Sequence, residues 1–284
     1  MRFSEHSLTD LKGRSILSFY HAKAPSGIRE FREHSHTECE IALFVSGEGI
    51  YSVLEKSYPF SVGDVFLFAG NEVHYITEIS DSAPLDVIGI QFEPKLIWES
   101  GYENLPLLKL FTDRSESFEN RISRDNEKTE EIRHSILEIE KEFSEKREGF
   151  ELKIKMLLFS VLLTLLRDFG YVKESSDNVS RDTLKSLSAA TDYINKNLST
   201  TLTLSDIAKI SNLAPSYFST VFKKFNGVTP FEYITIKRVE KAISLIKSGS
   251  PSVISAAEEA GFQSSSNFYK AFFKVTGKKP KDYI

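Results

Sequence analysis

The last quarter of the chain states one pattern twice, fifty residues apart. Phe222-Lys223-Lys224-Phe225-Asn226-Gly227-Val228-Thr229-Pro230-Phe231-Glu232-Tyr233-Ile234 is answered by Phe272-Phe273-Lys274-Val275-Thr276-Gly277-Lys278-Lys279-Pro280-Lys281-Asp282-Tyr283-Ile284. Phe, Lys, Gly, Pro, Tyr and Ile recur in the same order. Two copies are too few for a solenoid. They fit two instances of one binding device.

Each copy contains an amphipathic helical pattern. Tyr217, Phe218, Val221, Phe222 and Phe225 form one apolar stripe, as do Phe268, Ala271, Phe272 and Val275. Gly227 and Gly277 stand where a left-handed residue ends a helix. A shorter helix precedes each. Thr203 and Asp206 open the first, and Ser211 to Pro215 turns it into the next. Ser252 and Ser264 are candidate caps in the second copy, with Gly261 between them. Helix, tight turn, helix is the arrangement whose second helix enters the DNA major groove. Taken singly, such stripes are more often ordinary bundle core. Doubling and charge favour DNA: residues 181–284 hold 15 Lys+Arg against 8 Asp+Glu, net +7, in a chain of formal net charge −4. Between the copies, Phe231 to Ser248 reads as one helix of roughly 27 Å, close to the ~34 Å between major-groove faces one turn apart.

These residues resemble the DNA-binding domain of the AraC/XylS transcription regulators. The resemblance rests on Ile207-Ala208, Pro215-Ser216-Tyr217-Phe218, Phe222-Lys223-Lys224, Gly227, Pro230, Tyr233, Arg238 and Ala242. It continues through Ala257, Gly261-Phe262, Asn267-Phe268, Phe272, Lys274, Gly277, Pro280 and Tyr283. Ala214, Thr220, Phe273 and the terminal Ile284 depart from the family pattern. The polar, outward positions are the expected DNA contacts: Ser216, Ser219, Thr220, Lys223 and Lys224, then Ser265, Ser266, Tyr269, Lys270 and Lys274. Arg238 is expected to be structural.

At 284 residues the chain has room for two or three domains. Its one cysteine, Cys39, excludes an internal disulfide and fits a reducing compartment. Met156 to Leu166 is too short for a span of ~20 residues, and the N-terminus has no apolar leader pattern. The expectation is a cytoplasmic protein that does not enter a membrane.

The first hundred residues read as short strands with turn punctuation: Ile41–Val45, Ile50–Leu54, Val65–Phe68, Val73–Ile76 and Leu85–Phe92. This predicts an all-β barrel or sandwich. His34, His36 and Glu40 share parity in an uninterrupted strand, and His74 follows on another. Two imidazoles and a carboxylate with a third imidazole suit a divalent transition metal. They equally suit a wet ligand pocket with the imidazoles bonded to Glu38 and Glu40. The spacing resembles the two cupin motifs, with Ala69 and Asn71 departing, and members of the regulator family often carry such a barrel.

In the middle, Asp125 to Lys146 has helical spacing through Ile132, Ile136, Ile139 and Phe143. Leu152 to Phe169 is a second helix, apolar almost all round, so it needs cover on most sides. The barrel can cover one side and a second subunit another, a C2 dimer being the commonest way; full burial within one chain is the alternative, and in the family such helices often make the dimer.

The expected organisation is multidomain α+β. A cupin-like effector-binding barrel over 1–98 precedes a helical linker and dimerisation segment over 99–180. An all-α domain with two helix-turn-helix units follows over 181–284. The function implied is non-enzymatic: a homodimeric transcription regulator, an activator by expectation, that binds promoter DNA and a small effector. Sugars are common effectors in the family. The alternative is a metal-dependent cupin enzyme with a helical appendage, which leaves the repeat without a purpose.

Overall fold

The computed structural model describes residues 2–9, 15–27, 33–99, 102–173, 180–249 and 252–283. The chain divides into two compact units, Met1–Ser176 and Asp177–Ile284.

Among the described residues, the first unit is built on eight strands: β1 (Arg2–Thr9), β2 (Ser15–Ala24), β3 (Cys39–Ser46), β4 (Gly49–Val53), β5 (Lys56–Phe60), β6 (Val65–Phe68), β7 (His74–Ile79) and β8 (Leu85–Phe92). They form two open antiparallel sheets, ordered β1-β2-β8-β3-β6 and β5-β4-β7. The expectation of a closed barrel is therefore corrected. The free side of β6 is taken instead by the chain at 120–122. Leu67 N donates to Asn120 O at 2.9 Å and Ile122 N to Val65 O at 2.8 Å.

Side chains alternate across β2, β3 and β8. Ala22, Ala24, Ala42, Phe44, Phe66, Phe68, Leu85 and Val87 share one buried cluster with Tyr51, Val53, Tyr58, Phe60, Ile76 and Ile79 of the smaller sheet. Aromatic rings fill this space: Phe44 stacks on Phe60 at 4.1 Å and Tyr51 meets Phe66 edge-on at 5.0 Å. Each fully buried ring adds roughly 2–3 kcal/mol of apolar transfer. The other face of the large sheet is also covered. Phe19 of β2 lies 5.4 Å from Phe143. Both faces being buried is why β3, β6 and β8 read as apolar runs rather than alternations.

The helices α1 (Lys95–Glu99) and α2 (Lys109–Thr112) flank a 3-10 stretch, Tyr102–Leu108. Then α3 (Lys128–Glu145) and α4 (Phe150–Asp168) pack together, joined by a turn with Lys146 and Gly149 at positive φ. These helices, α1 to α4, belong to the first compact unit.

The second unit contains α5 (Arg181–Lys196), α6 (Leu204–Ser211), α7 (Pro215–Asn226), α8 (Pro230–Lys247), α9 (Val253–Ala260) and α10 (Ser265–Thr276), then a 3-10 turn, Pro280–Tyr283. Ser180, Thr203, Thr229, Ser252 and Ser264 cap five of the helices with side-chain oxygens; each such cap contributes about 1 kcal/mol. Ala214 gives α7 no side-chain cap, and Pro215 starts it instead. The first half of α8 packs on α7, where Tyr233 meets Phe222 edge-on at 5.5 Å. Its second half supplies Val239, Ala242 and Ile246 to the core around Phe268 and Phe272.

Candidate effector site and nucleic-acid interface

At one end of the space between the sheets, Glu40 is fully buried and gathers three donors. Tyr20 Oη donates to Oε1 at 2.6 Å. Gln91 Nε2 donates to Oε2 at 2.9 Å, and His36 Nε2 lies 2.7 Å from the same oxygen. Tyr20 reaches Glu40 by crossing β8 over Gly89, its register partner. A Cβ on Gly89 would stand 2.0 Å from Tyr20 Cζ. Tyr20 and Gln91 are residues the sequence reading missed. Their alternation marks them as inward, but nothing in the sequence says that β8 lies between β2 and β3.

His74 is also fully buried. Its Nδ1 faces Glu72 O at 2.8 Å, an acceptor, so this nitrogen carries the proton. Nε2 then presents a lone pair, 3.8 Å from Glu40 Oε2 and without a hydrogen-bond partner among the described residues. His36 Nδ1 likewise faces a carbonyl, Glu38 O at 3.0 Å, but its Nε2 is taken by Glu40. Ligand atoms of His36, Glu40 and His74 all lie within 4.8 Å of one another.

His34 is placed differently from its expected strand. Residues 33–38 form no strand; His34 pairs with His74 through an isolated bridge, and β3 begins at Cys39. Its ring stands edge-on to that of His74 at 4.5 Å, and it is not among the three converging ligands. Phe68 stacks on the other side of His74 at 4.3 Å.

Charge in this cluster is set by burial and by its partners. Burial raises the Glu40 carboxyl, but the His36 hydrogen bond, the two imidazole charges and Tyr20 outweigh it and hold it far below the usual carboxylate range. Burial pulls His36 down, and the bond to Glu40 more than restores it, for a net rise. Burial pushes His74 down to about 4, so it is a neutral imidazole at pH 7. Burial and the Glu40 charge push the Tyr20 hydroxyl well above its ordinary value, which keeps it a donor.

Behind the cluster, Glu72 is held by Arg114, and its Oε2 accepts from Ala69 N at 2.6 Å and Asn120 Nδ2 at 3.2 Å. This fixes the turn that carries His74. An oriented neutral imidazole, a second imidazole and a carboxylate fit the donor set of a divalent transition metal.

In the second unit the two reading helices are α7 and α10. Phe218, Val221, Phe222 and Phe225 of α7 are buried, as are Phe268 and Phe272 of α10. Ser216, Thr220 and Lys223 are exposed, with Ser219 and Lys224 partly so; Ser265, Ser266, Tyr269, Lys270 and Lys274 are all exposed. Tyr217, assigned to the apolar stripe, is instead 47% exposed beside Ser216. It precedes the buried Phe218 on the first turn, where one residue is a rotation of about 100°. Both helices present a small, polar and basic face outward.

Two helix-turn-helix units that follow, in the chain, a β-rich unit with a buried polar cluster define a DNA-binding transcription regulator with a ligand-binding domain. The family model for the AraC-like ligand binding domain matches residues 19–162, and that for a helix-turn-helix domain matches 207–284. The chain belongs to the AraC family. It is 24% identical to the melibiose operon regulatory protein of Escherichia coli (strain K12), over 95% of this chain and 91% of that one. It is 25% identical to the lactose operon transcription activator of Staphylococcus xylosus, over 82% and 78%. ToxT from Vibrio cholerae shares the fold with a TM-score of 0.59 at 16% identity, covering 93% of this chain and 97% of that one. The melibiose and lactose proteins are operon regulators. Among the described residues, no helix is long and apolar enough to cross a membrane.

Proposed function

We propose that the chain is a sugar-responsive transcription activator that binds promoter DNA through α7 and α10 as a homodimer. The observation that carries this reading is the helix-turn-helix pair with its polar, basic outward faces. Operon regulators for melibiose, lactose and raffinose among the relatives support a sugar effector, and the lactose regulator and RhaR are named activators. The His36–Glu40–His74 cluster is the candidate effector site. The aromatic filling between the sheets leaves its polar end as the place where hydroxyl groups find donors and acceptors. A divalent metal held by the same three residues would supply a Lewis-acidic point for a sugar hydroxyl or carboxylate.

For the dimer, α4 supplies the surface. Ile154, Leu158, Val161, Leu162 and Leu165 are buried, while Leu152, Met156 and Leu163 are exposed and Phe159 and Leu166 half-buried. Leu152, Met156, Phe159, Leu163 and Leu166 alternate steps of four and three, the seam of a paired helix. An antiparallel pairing centred on Phe159 brings Glu151 of one copy opposite Arg167 of the other. The test is binding of the whole chain to duplexes selected from a random library, across a salt series. The expected result is sequence-preferring binding that weakens steeply with salt, by a slope near 0.9 per phosphate neutralised. Binding that ignores sequence at every salt concentration sinks the reading.

A further inference from the structure

The loop between α5 and α6 touches both helix-turn-helix units, and α8 grips it. Arg238 Nε donates to Leu198 O at 2.8 Å and Nη2 donates to Thr200 O at 2.8 Å. One helical turn on, Lys241 Nζ donates to Ser199 Oγ at 2.8 Å and to Glu259 O at 2.9 Å. Ser199 Oγ donates to that same Glu259 carbonyl at 2.8 Å. Glu259 lies in the last turn of α9, so this carbonyl belongs to the second unit, while Ser199 leads into the first. Next to it, Gly261 takes φ +108 at the end of α9, and a Cβ there would stand 2.0 Å from Leu198 O. The turn leading from α9 to α10 therefore lies directly against the loop that leads into α6.

We propose that Arg238, Lys241, Ser199 and Gly261 form a clasp that fixes the separation and rotation of α7 relative to α10, and so sets the half-site spacing the protein accepts. This rests on the reading of α7 and α10 as the DNA-contacting helices. In the clasp all the acceptors but one are backbone carbonyls, which pin main chain rather than a mobile side chain. Burial lowers the Arg238 guanidinium pKa from its ordinary value, the mark of a cation drawn into the protein rather than held out to phosphate. A single hinge at the α8 termini would let the two units swing. Four hydrogen bonds from the middle of α8, with a fifth from Ser199 to Glu259 O, remove that freedom. One inserted base pair moves a half-site by about 3.4 Å and turns it by about 34°, a mismatch that a rigid pair of helices cannot follow.

The experiment uses the full chain and the 30-bp duplex that the wild type selects from a randomised library. Duplexes carrying one or two base pairs inserted between the half-sites, and duplexes with either half-site scrambled, complete the set. Wild-type protein is expected to lose more than about tenfold affinity on a one-pair insertion. Arg238→Met and Lys241→Met should lose less than about threefold on the same insertion, with affinity for single half-sites unchanged. Ser199→Ala, which removes only one hydroxyl, gives an intermediate result and guards against a misfolded variant. If all three variants keep the wild-type insertion penalty, the clasp is overturned while the DNA reading stands. A loss of equal size on every duplex overturns it too, because that is only a missing positive charge. If the wild type selects no duplex, both fall together.

Discussion

Tyr20 donates to Glu40 at 2.6 Å across a strand that lies between them, and it can do so only because that strand has Gly89 beneath the ring. A methyl at Gly89 would overlap Tyr20 Cζ, Cε1 and Oη, all within 2.4 Å of the added carbon. Gly89→Ala is expected to expel the ring and cost about 1–3 kcal/mol in urea unfolding. Tyr20→Phe keeps the ring and loses only a bond to a charged acceptor, about 1.5–3 kcal/mol. If Gly89→Ala unfolds like wild type, the ring does not lie over the glycine.

The orphaned Nε2 of His74 argues for a ligand in front of it. Protein purified without chelators is expected to carry close to one equivalent of a divalent transition metal by elemental analysis. His36→Ala and His74→Ala should each release it, and His34→Ala should leave it bound, since His34 lies outside the three converging ligands. Less than a tenth of an equivalent in the wild type disposes of the metal and leaves a hydrogen-bonding pocket.

Local chemistry was legible and long-range placement was not. Thr203, Ser252, Ser264, Gly261 and the glycines at 227 and 277 announced their helix ends, because a cap acts within four residues. The two apolar stripes predicted the buried rings of α7 and α10, apart from Tyr217. The His/Glu set was visible as residue types, yet its geometry came from elsewhere. A broken strand at 33–38, an isolated bridge from His34 to His74, and the neighbours Tyr20 and Gln91 all depend on which strands lie side by side. Strand β1 and the short turns around Tyr102–Leu108 carried no pattern strong enough to read. The cover on the edge of β6 was invisible for the same reason: its partner at 120–122 lies more than fifty residues away.

On the reading helices, Lys223 and Lys270 occupy exposed positions in the two copies. Lys223→Ala and Lys270→Ala are each expected to weaken binding to the selected duplex by ~1–3 kcal/mol where a base contact is lost. Fluorescence anisotropy against single-base variants distinguishes the roles. A base contact shows as relaxed preference at one position; a phosphate contact shows as a uniform loss and a salt slope smaller by about one. Unchanged affinity and preference in both variants removes these residues from the interface.

The exposed seam of α4 is tested by charge. Met156→Glu and Leu163→Glu place carboxylates where two copies would meet, without touching the buried face of the helix. Sedimentation is expected to show a dimer for the wild type and a monomer for each variant, with unchanged secondary structure. Reversing Glu151 and Arg167 together should restore what reversing either one alone weakens, though exposed pairs are worth only ~0.2–1 kcal/mol. A wild type that sediments as a monomer at micromolar concentration ends the proposal.

Glu232 closes the capping box that starts α8. Its Oε2 accepts from Thr229 N at 2.9 Å and Thr229 Oγ1 at 2.7 Å, and Thr229 Oγ1 accepts from Glu232 N at 3.4 Å. Those bonds from Thr229, side chain first and backbone second, hold the carboxyl below its ordinary value, and Lys274 and Lys223 add to the effect. The folded pKa is depressed, so the stabilisation is fully present above the unfolded value of about 4.3 and is lost as pH falls through the folded one. Glu232→Gln keeps an acceptor and removes the charge at a helix N-terminus, where a carboxylate contributes about 0.3–1 kcal/mol. Urea unfolding of wild type and variant should differ by about that much at pH 7, and the difference should close below pH ~4. A gap that stays constant from pH 7 to pH 3 means that the carboxylate charge plays no part in holding the start of α8.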